Sequence, residues 1–363
     1  ATLQLIEAGA VDAGAALAEA TLRRPGLEPV ARARLLLGRA YARVGIDRVL
    51  AVEDYEAVTA LVPPDSIEAA KAALGLGTLL PPAQGRVVLE RALRLYERLD
   101  VRIGQANTHR SLALTLLRTG DLDAAGDAAA EAVRLQRLDG HRAGLIEALD
   151  AMATVAHQHR DHDAAASLWH EALQLAREQG SKRLASLCYA GLGAIAAEQG
   201  QLPEAEAWAL QATELQRAVG WRDLLASSLG VLGHLRMMRG RLAEARSALV
   251  ESLDLAARIG LHRISRDEGV LAVVEARDGR LGEARRHVAR VRDAMHGART
   301  PWRVDVLVLE AEVALHCGER ALARERMGDA WALANEIGLQ SRFPPDLAER
   351  LERESDLAWI VDL

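Results

Sequence analysis

The segment HQHRDHD, residues 157 to 163, sets three imidazoles and two carboxylates in seven positions. Both groups are good ligands for Zn²⁺ or Ni²⁺. His157 and His159 are two apart and would not face each other on a helix. His157 with Asp161 would share a face, as would His159 with His162 if the helix continued. A second pattern is a stripe of basic residues, Arg102, Arg142, Lys182, Arg222 and His262, each 40 after the last. Such a ladder would suit phosphates. It equally suits the carbonyl end of the preceding helix, whose dipole favours cations, and that is the expected role. Gly75-Leu76-Gly77 follows no strand and precedes no Lys-Ser/Thr, so it is not a phosphate loop. The chain has no Gly-x-Ser-x-Gly and no His-Glu-x-x-His. It reads as non-catalytic; an enzyme would need a polar pocket with strongly shifted carboxylate or histidine pKa values.

The elements that position these residues are helices. Half of the 363 residues are hydrophobic, yet only 3% are aromatic, so Ala and Leu supply the apolar content. Both are strong helix formers. The net charge of −6 gives no basic excess to draw the chain onto nucleic acid or an anionic membrane, and neither partner is expected. No stretch is long and apolar enough to span a bilayer. Cys188 and Cys317 lie far apart in helical patterns, as buried free thiols would, and a cytoplasmic setting is expected.

The helices repeat. Helix stops fall at Gly120, Arg160, Gly200, Gly240, Gly279 and Gly318, spaced 40, 40, 40, 39 and 39. A second series, Gly140, Gly180, Gly220 and Gly260, keeps step at 40. Each unit therefore holds two helices closed by glycine, which tolerates the left-handed conformation that ends a helix. In AEQGQLPEAEAW, residues 197 to 208, Pro203 suits the first turn of the next helix, and Glu204 and Glu206 lie at its positive end. The short loop makes the pair antiparallel. HQHRDHD falls on such an elbow, so it reads as a polar variant of a turn, with no metal or cofactor expected. Small residues recur five positions after each stop, at Ala125, Ala165, Ala205, Ala245, Ala284 and Ala323. They allow the close approach that stacked hairpins need.

This pattern resembles the tetratricopeptide repeat (TPR). Leu37, Gly38, Tyr41 and Gly45 keep that family's first-helix spacing, as do Tyr189, Leu192, Gly193, Gly200 and Ala205. The resemblance implies an all-α superhelix, a TPR solenoid of about eight to nine antiparallel helix hairpins, continuous and right-handed. Repeats of about 40 residues, longer than the family's usual period, resemble the sensor regions of MalT-like bacterial transcription regulators. The expected organisation is 1–99, irregular units with the first truncated; 100–340, six regular units; and 341–363, a capping helix and an apolar tail. The chain starts at Ala1 inside half a hairpin, so a fragment or a processed protein is expected.

In that family the first helix of each hairpin lines the concave surface. By position, the resemblance implies a groove presenting Arg32, Arg39, Arg43, Asn107, Arg110, Glu147, Asp150, His157 and His234 to a protein, a peptide or a small effector. The groove would be basic near its start, then apolar, then mixed. Only two lysines occur in the chain, and the Lys/Asn clamp with which some members grip a peptide C-terminus is missing. Trp169, Trp208, Trp331 and Tyr189 are expected in the core, with Trp221 and Trp302 at unit junctions. The expected role is the sensing region of a larger signalling or transcription regulator. The alternative is a free-standing assembly scaffold; ATPase or DNA-binding motifs flanking the chain would separate the two.

Overall fold

The computed structural model describes residues 11–44, 47–259, 264–295 and 301–339, with Phe343, Pro344, Leu347, Leu351, Leu357 and Ile360. Among the described residues every regular element is a helix, seventeen in all. Residues 1–9, His262, and most of the capping helix and tail lie outside them, as does the side chain of Trp302.

The helices pair as antiparallel hairpins at the places the stops mark. Arg102–Thr119 pairs with Leu122–Asp139, Arg142–Gln158 with His162–Glu178, and Lys182–Glu198 with Leu202–Val219. Gly120 and Gly200 adopt φ of 80° and 73°. At the second of these stops the amide of Gln201 donates to the Ala196 carbonyl at 2.8 Å, and that of Gly200 to Ala197 at 3.1 Å. This double bond pattern satisfies carbonyls that the helix end would leave open. Arg160 makes the same two bonds, Asp161 to Ala156 and Arg160 to His157, at φ 62° without being glycine.

Packing follows the small residues. Ala125, Ala165, Ala205, Ala245, Ala284 and Ala323 are fully buried, so each hairpin closes on an atom-sized gap at the same point. Where one hairpin meets the next, an aromatic ring fills the space that a glycine leaves. A Cβ on Gly191 would fall 2.1 Å from Trp169 Cε2. Trp169 and Tyr189 are buried and Trp208 is partly buried against them, as expected for core.

By compactness the chain divides into Ala1–Ser228 and Leu229–Leu363. The larger core of the first unit runs from Ala132 to Ala212 and is built mostly of Ala, Leu and Ile. In the second unit one core gathers Met237, Leu249 and Val270 to Val274. Another joins the last hairpin to the chain end: Phe343, Leu347, Leu351, Leu357 and Ile360 are buried with Leu307, Met327 and Ala330. Of the tail, Leu357 and Ile360 thus pack with the last hairpin. Cys188 is a buried free thiol and Cys317 a half-buried one.

Candidate functional site

The expected groove residues do different work. On the helix Pro29–Arg43, Arg39 forks onto Asp54 with Nε and Nη2 at 2.9 and 2.6 Å, and Arg43 Nη1 reaches the same carboxylate at 2.9 Å. Asp54 is buried and belongs to the second helix of that hairpin, Arg48–Leu61. One carboxylate thus balances one of these two positive charges inside a single hairpin. Arg32 is half-buried on the same first helix.

Further along the first unit, charges connect hairpins instead. Glu147 lies between Arg183, whose Nη2 donates to Oε1 at 2.5 Å, and Arg110, whose Nη2 is 3.6 Å from Oε2. The three residues come from three consecutive first helices. Burial disfavours the Glu147 carboxylate, but the two guanidiniums outweigh it and hold the carboxyl below its ordinary range. Asp150, one turn on, accepts from Trp169 Nε1 at 2.8 Å. There burial prevails over the indole bond and Arg110, and the carboxyl is raised. Both shifts arise from the packing of the stack itself. Asn107 accepts from Gln136 Nε2 at 3.0 Å.

Arg183 also lies over the Trp221 ring, 5.3 Å from its centroid. Trp221 meets Tyr41 edge to face at 6.5 Å and packs on Ala42. Tyr41 and Trp221 are 180 residues apart, the one in helix Pro29–Arg43 and the other directly before helix Arg222–Met238. Trp221 thus touches both Arg183 of helix Lys182–Glu198 and Tyr41 and Ala42 of helix Pro29–Arg43. A cleft of about 660 Å³ lies elsewhere, against the arginines 91, 94 and 98 of helix Pro82–Arg98.

In the second unit His234 is also flanked by arginines. Arg266 Nη2 lies 3.3 Å from His234 Nδ1. A guanidinium can only donate, so Nδ1 accepts and the neutral ring carries its proton on Nε2. Burial, then Arg266 and Arg277, push the imidazole down to about 4. Arg277 itself pairs with Glu312, its Nε 2.6 Å from Oε1. Of the basic stripe, Arg142 reaches Glu178 at 3.7 Å, a carboxylate partner in place of the expected carbonyls.

His157 meets neither Asp161 nor His159. Its Nε2 lies 3.1 Å from Glu198 Oε1, and His162 Nε2 lies 3.6 Å from Glu198 Oε2. Asp161 caps its helix by accepting from the Ala164 amide. Sequence reasoning named neither Glu198 nor Arg183. For Arg183 the signal was there: charges of opposite sign 34 to 36 residues apart meet across neighbouring hairpins, as in Arg137–Glu171, Arg183–Glu147 and Arg277–Glu312.

No family model matches the chain, and no curated protein matches it. Solved structures do. The Rap protein complexed with Competence and Sporulation Factor is 14% identical, with a TM-score of 0.66 over 93% of this chain and 97% of that one. Cut9, in the APC/C hetero-tetramer Cut9-Hcn1, is 15% identical with a TM-score of 0.67, over 94% and 59%. The Signal Transduction ATPase with Numerous Domains protein with a tetratricopeptide repeat sensor, PH0952 from Pyrococcus horikoshii, is 12% identical with a TM-score of 0.59, over 93% and 54%. At these identities the likeness is one of fold: an all-α helical repeat of the tetratricopeptide type. The Rap and Cut9 matches point to no enzyme family. Among the described residues no helix is long and apolar enough to cross a membrane.

Proposed function

We propose that this chain is a non-catalytic binding module that takes an extended peptide or protein segment along the first helices of its first unit, as the sensing region of a larger bacterial signalling or transcription regulator. The observation that carries this reading is the polar line Arg110–Glu147–Arg183 with Trp221 and Tyr41 at its end. Charged side chains from successive first helices are ordered before any ligand arrives, which lowers the entropic cost of binding. Tyr41 is 37% exposed, so an aromatic face remains for a ligand to cover. The regulator context is supported by the fold shared with the sensor-bearing ATPase and by the repeat length. Small effectors fit the same surface.

The test is selection of linear peptides from a displayed random library on the purified chain, followed by hydrogen exchange of the complex. Protection is expected on the helices Arg102–Thr119, Arg142–Gln158 and Lys182–Glu198. The double variant Arg32→Glu/Trp221→Ala should weaken the selected peptides at least about tenfold, the equivalent of roughly 1.4 kcal/mol. Unchanged affinity, with protection confined to the outer helices, would sink the reading. ATPase or DNA-binding motifs in flanking sequence would support the regulator context.

A further inference from the structure

At the elbow between Arg142–Gln158 and His162–Glu178, two imidazoles stand where four of the five related elbows hold apolar pairs. The position three before the stop and the position two after it are Leu117 and Leu122, Ala197 and Leu202, Met237 and Leu242, and Ala276 and Leu281; at the Gly318 elbow they are Leu315 and Arg320. At this elbow they are His157 and His162. A polar turn variant would put polar side chains into solvent. These side chains are only 12% and 22% exposed, and their rings approach to 5.7 Å. The third group, Glu198, arrives from the next hairpin.

We propose that His157, His162 and Glu198 form a binding site for a divalent first-row transition ion, with Zn²⁺ or Ni²⁺ the fitting class for two imidazoles and a carboxylate. One ligand atom from each lies within 4.8 Å of the others. Four ligands held about 2.1 Å from a tetrahedral ion stand roughly 3.4 Å from one another. The His157 Nε2–Glu198 Oε1 separation of 3.1 Å is near that edge, and His162 Nε2 lies 3.6 Å from the other oxygen of the same carboxylate, Oε2. His157 Nε2 is buried and makes no hydrogen bond, although a carboxylate oxygen lies beside it. Donor and acceptor are close but out of line, as are two atoms that point at a common third centre.

With three protein ligands, the ion keeps an open position for water or a partner's donor group. It would fasten the last turn of Arg142–Gln158, the first turn of His162–Glu178 and the last turn of Lys182–Glu198, bracing two successive hairpins. The site stands apart from the Arg110–Glu147–Arg183 line and does not depend on it.

The test uses the whole chain, free of any histidine tag and stripped with chelator. Zn²⁺ and Ni²⁺ are titrated by calorimetry, and Co²⁺ is followed by its visible absorption. One ion per chain is expected at micromolar concentration or below, with the bands of an ion bound by nitrogen and oxygen. Because Trp169 lies 5.9 Å from the His157 ring, Ni²⁺ should quench its fluorescence, and Trp169→Phe should lose that part of the quenching. His162→Leu installs the residue that four of the related elbows hold, so it should fold. It and Glu198→Gln should each weaken binding by at least the roughly 10–100-fold that losing even an outer partner of a metal ligand costs. His159→Ala should bind as the parent does. Absence of binding at about 100 µM ion would overturn the proposal, as would equal affinity in His162→Leu and the parent, or a loss in His159→Ala as large as in His162→Leu.

Discussion

Glu147 in the first unit and His234 in the second are both mostly buried, and both have two arginines for neighbours. The outcome is opposite. For the acid, burial opposes the charge and the guanidiniums win, so Glu147 is ionised at neutral pH. For the base, burial and both guanidiniums act in the same direction, so His234 is neutral there and is pushed down to about 4. One environment, presented to groups of opposite sign, makes a fixed ion pair in one unit and a suppressed cation in the other. The chemistry of such a helical stack is thus set by which titratable group enters, more than by the arginines around it.

The hardest blow to this contrast is Glu147→Ala. It removes the carboxylate that bridges the half-buried Arg110 and Arg183. Breaking a buried pair costs roughly 3–5 kcal/mol, and the partial exposure here brings the expected loss to about 2–4 kcal/mol, read from urea melts at pH 7. Acid titration separates the two sites next. The His234 pKa is lower folded than unfolded, so the unfolded chain binds more protons and stability falls as pH drops from about 6.5 to about 4. The His234 share of the fall amounts to at most about 3 kcal/mol, and His234→Gln should make that limb shallower, leaving the part that His109, also lowered by burial, contributes. Glu147 contributes its stability above the unfolded carboxylate value and loses it as pH falls through its lowered folded value, so its limb lies at more acidic pH. A His234→Gln protein with an unchanged slope between pH 6.5 and 4 would show that the imidazole is not the suppressed group. The smallest effect is expected from Arg183→Ala. It should cost about 1–2 kcal/mol, with a shift in Trp221 emission as the cation over the indole is removed.

What the sequence disclosed follows the same division. The stops, the small residues and the aromatic core are properties of one position repeated, and a period of 40 makes them visible without coordinates. Partnership between helices is a property of two positions. That Arg39 and Arg43 belong to Asp54 within one hairpin, or that His157 faces Glu198 of the next and not Asp161, depends on how far each neighbour slides along its helix axis. The spacing of opposite charges carries that offset for Arg183 and Glu147, but not for these pairs. Arg160 marks the boundary between the two kinds of knowledge. Its place in the stop series is plain in the sequence, whereas its left-handed backbone without glycine emerges only from the fold.

The contact of Tyr41 with Trp221 has a kinetic meaning. Nearly all the packing in the first unit joins helices that are adjacent in sequence or one hairpin apart, so its hairpins can form early, each templating the next, because short loops close cheaply. The Tyr41–Trp221 pair spans 180 residues and has to wait until every hairpin between them has docked. Its formation is a signal that the hairpins between the two residues are in place.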